Sequence, residues 1–434
     1  MDKIFRVKTF KFILLTIIYR ILVDYFHINY MVINWNYMGF YLNINGTKIF
    51  LSYLFLIIFL YFIPLYKKEK LSHFLVILLF YTMYIPIGSI YGLQDKSNMF
   101  FIIANLSFFI LVFFTIIIDR KSKTSLIVGG EFHSKIMPLL YGISIYVFLI
   151  MTIQNVKNIN LENVLNLRAV YEVRRGATYN WGMNYFFSWQ TKVINPYMIA
   201  INYMNKNKKD MLIYLAFQIW LYILTGHKLV LFIVFVAFII IKFSSKLKDL
   251  PDLLSKGFVG LFVLSKLELL MQPKSIILDF FLRRVLYIPA LIGNYYYDFF
   301  SQYGFQYWKY SLLGRVFNLT TDFPVQPPYI IGEVYFGNPR NFAVTGYLGT
   351  EYMNGGILGV LLASIFLIFI FKYMDMCSER IGREIVLITI IAPIYTLWNT
   401  GILTAFLTGG VFLSLLILGQ TKIDKSKYRD KLEI

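Results

Sequence analysis

Runs of 18 to 20 residues without one Asp, Glu, Lys or Arg recur along this chain, at 49–66, 99–118 and 136–153 among others. At a rise of about 1.5 Å per residue, each run crosses the roughly 30 Å hydrocarbon core of a bilayer as a helix, which satisfies its own backbone where water cannot. A composition of 58% hydrophobic, 19% aromatic and 15% charged residues over 434 positions agrees. It excludes a soluble enzyme and a nucleic-acid binder. The net charge of +19 has another origin, because membrane proteins gather Lys and Arg on their cytoplasmic side. The single cysteine, Cys377, allows no intrachain disulfide, so the outer segments depend on packing and hydrogen bonds. A metal cluster of Cys and His is not expected.

Lys3, Arg6, Lys8 and Lys11 precede an apolar run from Phe12 with no small-residue cleavage site. That is the pattern of a retained signal anchor with a cytoplasmic N-terminus. Alternating apolar runs and basic clusters then give an all-α polytopic membrane protein of about twelve helices, at 12–31, 49–66, 71–90, 99–118, 136–153, 185–204, 211–224, 229–241, 253–270, 357–371, 385–398 and 402–419. Both termini are cytoplasmic in this topology, and 1–434 forms one integral membrane domain. More than half of the 42 Lys and Arg fall inside, whereas the short outer connections carry only Lys48, Lys96 and Lys228, which is the positive-inside bias. The uncharged stretches 211–241 and 385–420 have basic flanks at both ends. Ends of like sign lie on one side, so each stretch is a helical hairpin. Two large segments remain outside, 154–184 and 271–356, and loops of that length carry function more often than they merely connect.

These two segments hold seven arginines, Arg168, Arg174, Arg175, Arg283, Arg284, Arg315 and Arg340, whereas the cytoplasmic cations are mostly lysine. Topology needs only positive charge; guanidinium groups on the outer face suit planar, bidentate recognition of phosphate or carboxylate. Plainer roles compete. Arg174 and Arg175 suit the last turn of a helix from Leu161 capped by Gly176, and Arg283 and Arg284 end a stretch from Ser275 that suits an interfacial helix. Tyr295, Tyr296, Tyr297, Asp298, Phe299 and Phe300, followed by Tyr303, Tyr307, Trp308 and Tyr310, suit sugar stacking or an interfacial aromatic belt. Thr225-Gly226-His227-Lys228 forms the tip of the first hairpin. Its arms reach only about 20 Å, so the tip sinks below the outer surface, where a cation marks a candidate site for a lipid-linked phosphate. Arg20 and Asp24, one turn apart in the first helix, suit mutual neutralisation. Lys192, Lys266 and Glu268 are the other charges within the helices.

Three local patterns, in this order, resemble the Wzy-type polymerases of O-antigen and capsular polysaccharide repeat units. They are Leu224-Thr225-Gly226-His227-Lys228, Tyr296-Tyr297-Asp298-Phe299-Phe300, and Thr345-Gly346-Tyr347-Leu348-Gly349 through Glu351 to Asn354-Gly355-Gly356-Ile357-Leu358-Gly359. The resemblance spans most of the chain, although many relatives have arginine where Lys228 stands. It implies a GT-C-like fold and a bacterial cytoplasmic-membrane enzyme that joins undecaprenyl-diphosphate-linked oligosaccharides, donor to acceptor, on the outer face. Such a reaction needs no cofactor. A chain-length regulator and a flippase of the same pathway are the implied partners, besides the bilayer. On this reading Arg283, Arg284, Arg315 and Glu351 are catalytic, with Asp298 and Glu333 competing with Glu351 as base. Arg168, Arg174, Arg175, His227, Lys228, Tyr297, Asp298 and Arg340 contact the diphosphate or the saccharide.

Two other classes compete. An O-antigen ligase is expected to use a histidine in the large outer loop, yet His27, His73, His133 and His227 all lie outside 271–356. A flippase or transporter is expected to line a pathway with intramembrane charges and to have short loops. A topology reporter fused within 271–356 is expected to report the outer side of the membrane; an inward location would overturn the whole assignment.

Overall fold

The computed structural model describes residues 2–63, 70–121, 132–159, 170–180, 182–242 and 250–421. Among the described residues every regular element is helical. Five helices are long and apolar enough to cross a membrane: Phe10–Met38, Leu71–Leu93, Asn98–Ile117, Ile136–Asn155 and Tyr347–Ile381. Gly46–Phe62, Lys228–Ile240 and Val411–Gln420 are shorter apolar helices. The first expected hairpin turns at Gly226, whose φ of +62° closes the helix Lys208–Thr225 through its N–H on the Tyr222 carbonyl.

Two span boundaries differ from expectation. The span placed at 402–419 is two helices, Ile402–Leu407 and Val411–Gln420, because Gly409 and Gly410 interrupt it and Gly410 takes φ +94°. The span placed at 357–371 starts where expected, because Gly355 and Gly356 kink Tyr347–Ile381 into two helices, but the second runs on to Ile381 rather than ending at 371. Residues 271–356, expected on the outer side, are largely helical, with Ile277–Tyr287 running on into Ile288–Tyr303, followed by Leu312–Val316 and Pro327–Phe336.

The chain forms two compact units. The first comprises Met1–Lys123, Lys246–Lys372 and Leu397–Thr404; the second comprises Thr124–Ser245, Tyr373–Thr396 and Ala405–Ile434. In the first, Asp2–Phe26 packs on Leu250–Met271, and Gly46–Phe62 packs on Ile85–Leu93. The second approach is close: a Cβ on Gly92 would stand 2.6 Å from the Ile49 side chain. Arg20 and Asp24 pair as expected, Nε to Oδ2 at 3.3 Å. The guanidinium also donates to the Ile85 and Gly88 carbonyls and to Ser52, while Asp24 accepts from Tyr53 and Ser89. In the second unit, Asn195–Met204 packs on Lys208–Thr225 and on Arg383–Tyr395. Cys377 is buried and free.

Prolines follow three of the four wide turns among the described residues; the fourth, His27–Met31, has none after it. Wide, π-type turns occupy Phe80–Tyr84, Gln190–Ile194 and Ile277–Tyr287, and Pro86, Pro196 and Pro289 follow each of them at the second position of the next α-segment. In a π turn each N–H meets the carbonyl five residues back, and proline has none to give. The carbonyls left over are therefore Tyr81 and Thr191 in the first two cases. Side chains from other helices supply the missing donors: the Tyr19 hydroxyl reaches the Tyr81 oxygen at 2.8 Å, and Gln218 Nε2 reaches the Thr191 oxygen at 3.0 Å. Tyr19→Phe is expected to lower stability by about 1–3 kcal/mol, the cost of an unsatisfied buried acceptor. In a Pro86→Ala background, where the backbone donor returns, most of that penalty should vanish. Denaturant unfolding in detergent measures both, and equal penalties in the two backgrounds would sink the account.

Candidate functional site

In the first unit, the helix that opens at Tyr347 breaks at Gly355 (φ −145°) and Gly356 (φ +61°). A break strands carbonyls, and here the loop before it supplies donors: the N–H groups of Gln306 and Tyr307 reach the Met353 and Asn354 carbonyls at 2.7 and 2.9 Å. The two glycines leave room for rings, since a Cβ on Gly355 would meet Trp308 at 3.2 Å and one on Gly356 would meet Phe305 at 2.6 Å. Tyr307 and Trp308 are held at φ +45° and +57°, a region that costs side-chain-bearing residues about 1–3 kcal/mol and persists only when neighbours enforce it. The enforcing contact is Glu351. Its Oε2 accepts from Trp308 Nε1 at 3.0 Å and from Asn354 Nδ2 at 3.5 Å, and its Oε1 accepts from the Ile402 N–H at 2.7 Å. Only 3% of Glu351 is exposed. Both oxygens are therefore occupied, and the carboxylate pins three segments together.

Asp298 differs in kind. It sits half-buried on helix Ile288–Tyr303, and its carboxylate accepts no hydrogen bond among the described residues. Burial pushes its pKa up, and the Lys96 charge opposes that shift. Lys96 is buried, with its amine 5.0 Å from the ring centres of both Tyr41 and Tyr295. Tyr295 in turn stacks on Tyr335 with centroids 4.2 Å apart and 14° between planes. The charge of Asp298 acts on both of these tyrosines. The part-buried carboxylate, the ammonium and the stacked aromatic pair are thus electrostatically coupled, and together they are the donor, acceptor and ring-face set that a saccharide uses. Tyr297, the neighbouring candidate, leans on Tyr352 and Phe100 at 4.8 and 5.8 Å.

The arginines of 271–356 divide. Arg283 is not displayed to solvent: it is 6% exposed, its guanidinium lies 3.5 Å from the Trp35 ring centre, and Nη1 meets the Met38 sulfur at 3.1 Å. Winding decides this, because the π-type turns of Ile277–Tyr287 bury Arg283 and leave Arg284 exposed. Arg315 and Arg340 are exposed, and neither forms an ion pair among the described residues. Arg168 lies outside the described residues.

In the second unit, Arg174 and Arg175 are exposed in the last turn of Val170–Gly176, as a helix end favours. His227 Nε2 is 2.9 Å from the Tyr179 hydroxyl, and its ring lies against Phe187. Burial, with the positive charges of Arg174 and Lys192, pushes the imidazole down to about 4. His227 is therefore neutral at pH 7. Lys228 opens the helix Lys228–Lys242 beside it and is partly buried. Lys192, Lys96 and Tyr335 were not among the sequence candidates, and Trp308 entered only as part of the aromatic run after Asp298. Lys192 carried a faint signal, a lone cation in an apolar run just ahead of Pro196, and Lys96 another, as one of three cations in the short outer connections; Tyr335 carried none.

Glu351→Gln replaces one acceptor oxygen by an amide donor facing another donor, so it is expected to cost about 1–3 kcal/mol of stability. Unfolding in detergent should show it, and a variant as stable as the parent would remove the pinning role. No family model, curated protein or solved structure matches the chain.

Proposed function

We propose that this protein is a polytopic glycosyltransferase of the bacterial cytoplasmic membrane, with about twelve spans, a GT-C-like fold and cytoplasmic termini. It polymerises undecaprenyl-diphosphate-linked oligosaccharide repeat units into O-antigen or capsular polysaccharide on the outer face. The observation that carries the reading is the group of Asp298, Lys96, Tyr295 and Tyr335, in which a carboxylate without a hydrogen bond among the described residues acts on a stacked aromatic pair. The helix that bears it lies outside the five long apolar spans.

In this reading the acceptor sugar lies on the tyrosine face and its hydroxyl meets Asp298. The hydroxyl oxygen attacks the anomeric carbon of the donor, the bond from that carbon to phosphate oxygen breaks, and the lipid diphosphate leaves with the electron pair. Asp298 takes the hydroxyl proton. Its raised pKa suits a base, whereas Glu351 is already saturated with donors and serves as a positioning residue. Charge that develops on phosphate needs cations aimed at it, for which the exposed arginines Arg284, Arg315 and Arg340 of the same unit are candidates.

A cell lacking the protein is expected to display single repeat units on its surface, where loss of a flippase would display none. Asp298→Asn should reduce the polymer ladder on gels by two decades or more, in the range of about 10²–10⁴ for a general base. Alanine at Arg284, Arg315 or Arg340 should shorten or abolish the ladder for those arginines that meet phosphate. Full-length polymer from Asp298→Asn would refute the reading.

A further inference from the structure

The helices Gly46–Phe62 and Asn98–Lys121 of the first unit lie side by side and leave a groove of about 250 Å³ between them. Phe59, Asn105 and Val112 form its buried floor, and its exposed walls include Ile58, Phe62, Ile102, Leu106, Phe109 and Phe113. Phe109 and Phe113 stack with centroids 5.3 Å apart and 13° between planes, which makes one wall flat. Asn105 is the one polar side chain that lines the groove, and it is engaged beneath the floor. Its Oδ1 accepts from the Tyr84 hydroxyl at 2.6 Å, and its Nδ2 donates to the Phe101 carbonyl at 2.7 Å. The groove surface is therefore hydrocarbon.

Length and width select the occupant. From Ile102 to Ile116 the groove follows its helix for roughly 20 Å, at about 1.5 Å per residue, against the ~15 Å that one leaflet contributes to the bilayer core. A volume of about 250 Å³ spread over that length is too narrow for a helix, whose diameter is about 10 Å, and admits a single hydrocarbon chain.

The groove also has a cationic end. The helical span Leu71–Leu93 lies beneath the floor, with Phe59 against Tyr84 at 4.9 Å and against Phe80 at 5.9 Å. It runs antiparallel to Asn98–Lys121, because Tyr91 stacks on Phe101 at 4.1 Å while Phe80 meets Phe108 at 6.1 Å. Counting back along this helix from Phe80 places Leu71 level with about residue 117 and puts Lys70 just past the Ile116 end. Around the same end, the stretches 64–70 and 119–123 hold six Lys and Arg against two acids in the sequence. At the other end, Lys48 is already paired with Asp95 at 2.7 Å. A slot for one apolar chain with positive charge at one end is complementary to a lipid with an anionic headgroup.

We propose that this groove binds an anionic phospholipid of the leaflet that meets its Phe62 end. One acyl chain lies along Phe109 and Phe113, and the headgroup phosphate meets Lys70. Surrounded by hydrocarbon, the chain is held by close contact rather than by exclusion from water, so filling the groove is the sharp probe.

Native mass spectrometry of the full chain in a mild detergent measures the Kd of the first bound lipid, with dioleoyl phosphatidylglycerol and dioleoyl phosphatidylcholine compared. The glycerol lipid should bind at least about fivefold more tightly, and Lys70→Gln should remove most of that preference without changing the choline lipid. Leu106→Trp fills the groove and should weaken both lipids by at least about tenfold. Leu54→Trp adds the same bulk to an exposed position outside the groove and should change neither. Should Leu106→Trp not fold, Ile102→Trp fills the other part of the groove and repeats the test. Equal affinity for the two lipids, or equal affinity in Leu106→Trp and the parent, overturns the proposal. An isoprenoid phosphate that displaces phosphatidylglycerol at lower concentration overturns the choice of occupant, as does a dimer that Leu106→Trp converts to monomer.

Discussion

In hydrocarbon, no water replaces a lost backbone hydrogen bond, so each interruption of a helix must be answered by another part of the protein. This chain interrupts its helices repeatedly, and the answers are specific. Pro86 and Pro196 withhold donors from Tyr81 and Thr191, and Tyr19 and Gln218 supply them. Gly355 and Gly356 break the helix from Tyr347, and the loop at Gln306 and Tyr307 caps the exposed carbonyls. The segments that bear candidate functional groups are the ones held in this way: Lys192 lies in a proline-linked wide turn, and Glu351 lies one turn before a glycine break. Irregular backbone is tolerated there because tertiary contacts define it.

Much of the architecture was legible in the sequence because hydrocarbon length and charge asymmetry act locally. The apolar runs became helices, Gly226 turned the first hairpin, and Arg20 met Asp24 one turn away. Boundaries were less legible. The start at Ile357 was legible, since Gly355 and Gly356 kink the backbone just before it, but the end was not, because the helix runs on to Ile381 through the charged residues after 371. Conversely, Gly409 and Gly410 sit inside an apolar window and break it.

The sites were less legible still, because their meaning lies in contacts across hundreds of residues. Nothing local to Arg283 says that Trp35 will cover its guanidinium, and nothing local to Glu351 says that Trp308 and Ile402 will occupy its oxygens. The contrast between Arg20 and Lys192 is likewise invisible in one dimension. Both are cations in apolar helices, but Arg20 has a carboxylate, a serine and two carbonyls, whereas Lys192 has no hydrogen bond or ion pair among the described residues. Asp298 and Glu351 form the same contrast among acids, one unengaged and one saturated.

The wide turns also bear on how such chains diverge. A π turn is equivalent to one residue inserted into an α-helix, and it advances everything beyond it by about 100° around the axis. A relative that has lost one residue near 192, together with Pro196, would regain regular winding and keep its span, yet would point the remaining side chains at different neighbours. Single-residue gaps inside apolar helices would then record changes of chemistry rather than neutral drift, and a comparison that smooths them away would match lysines that face different surroundings.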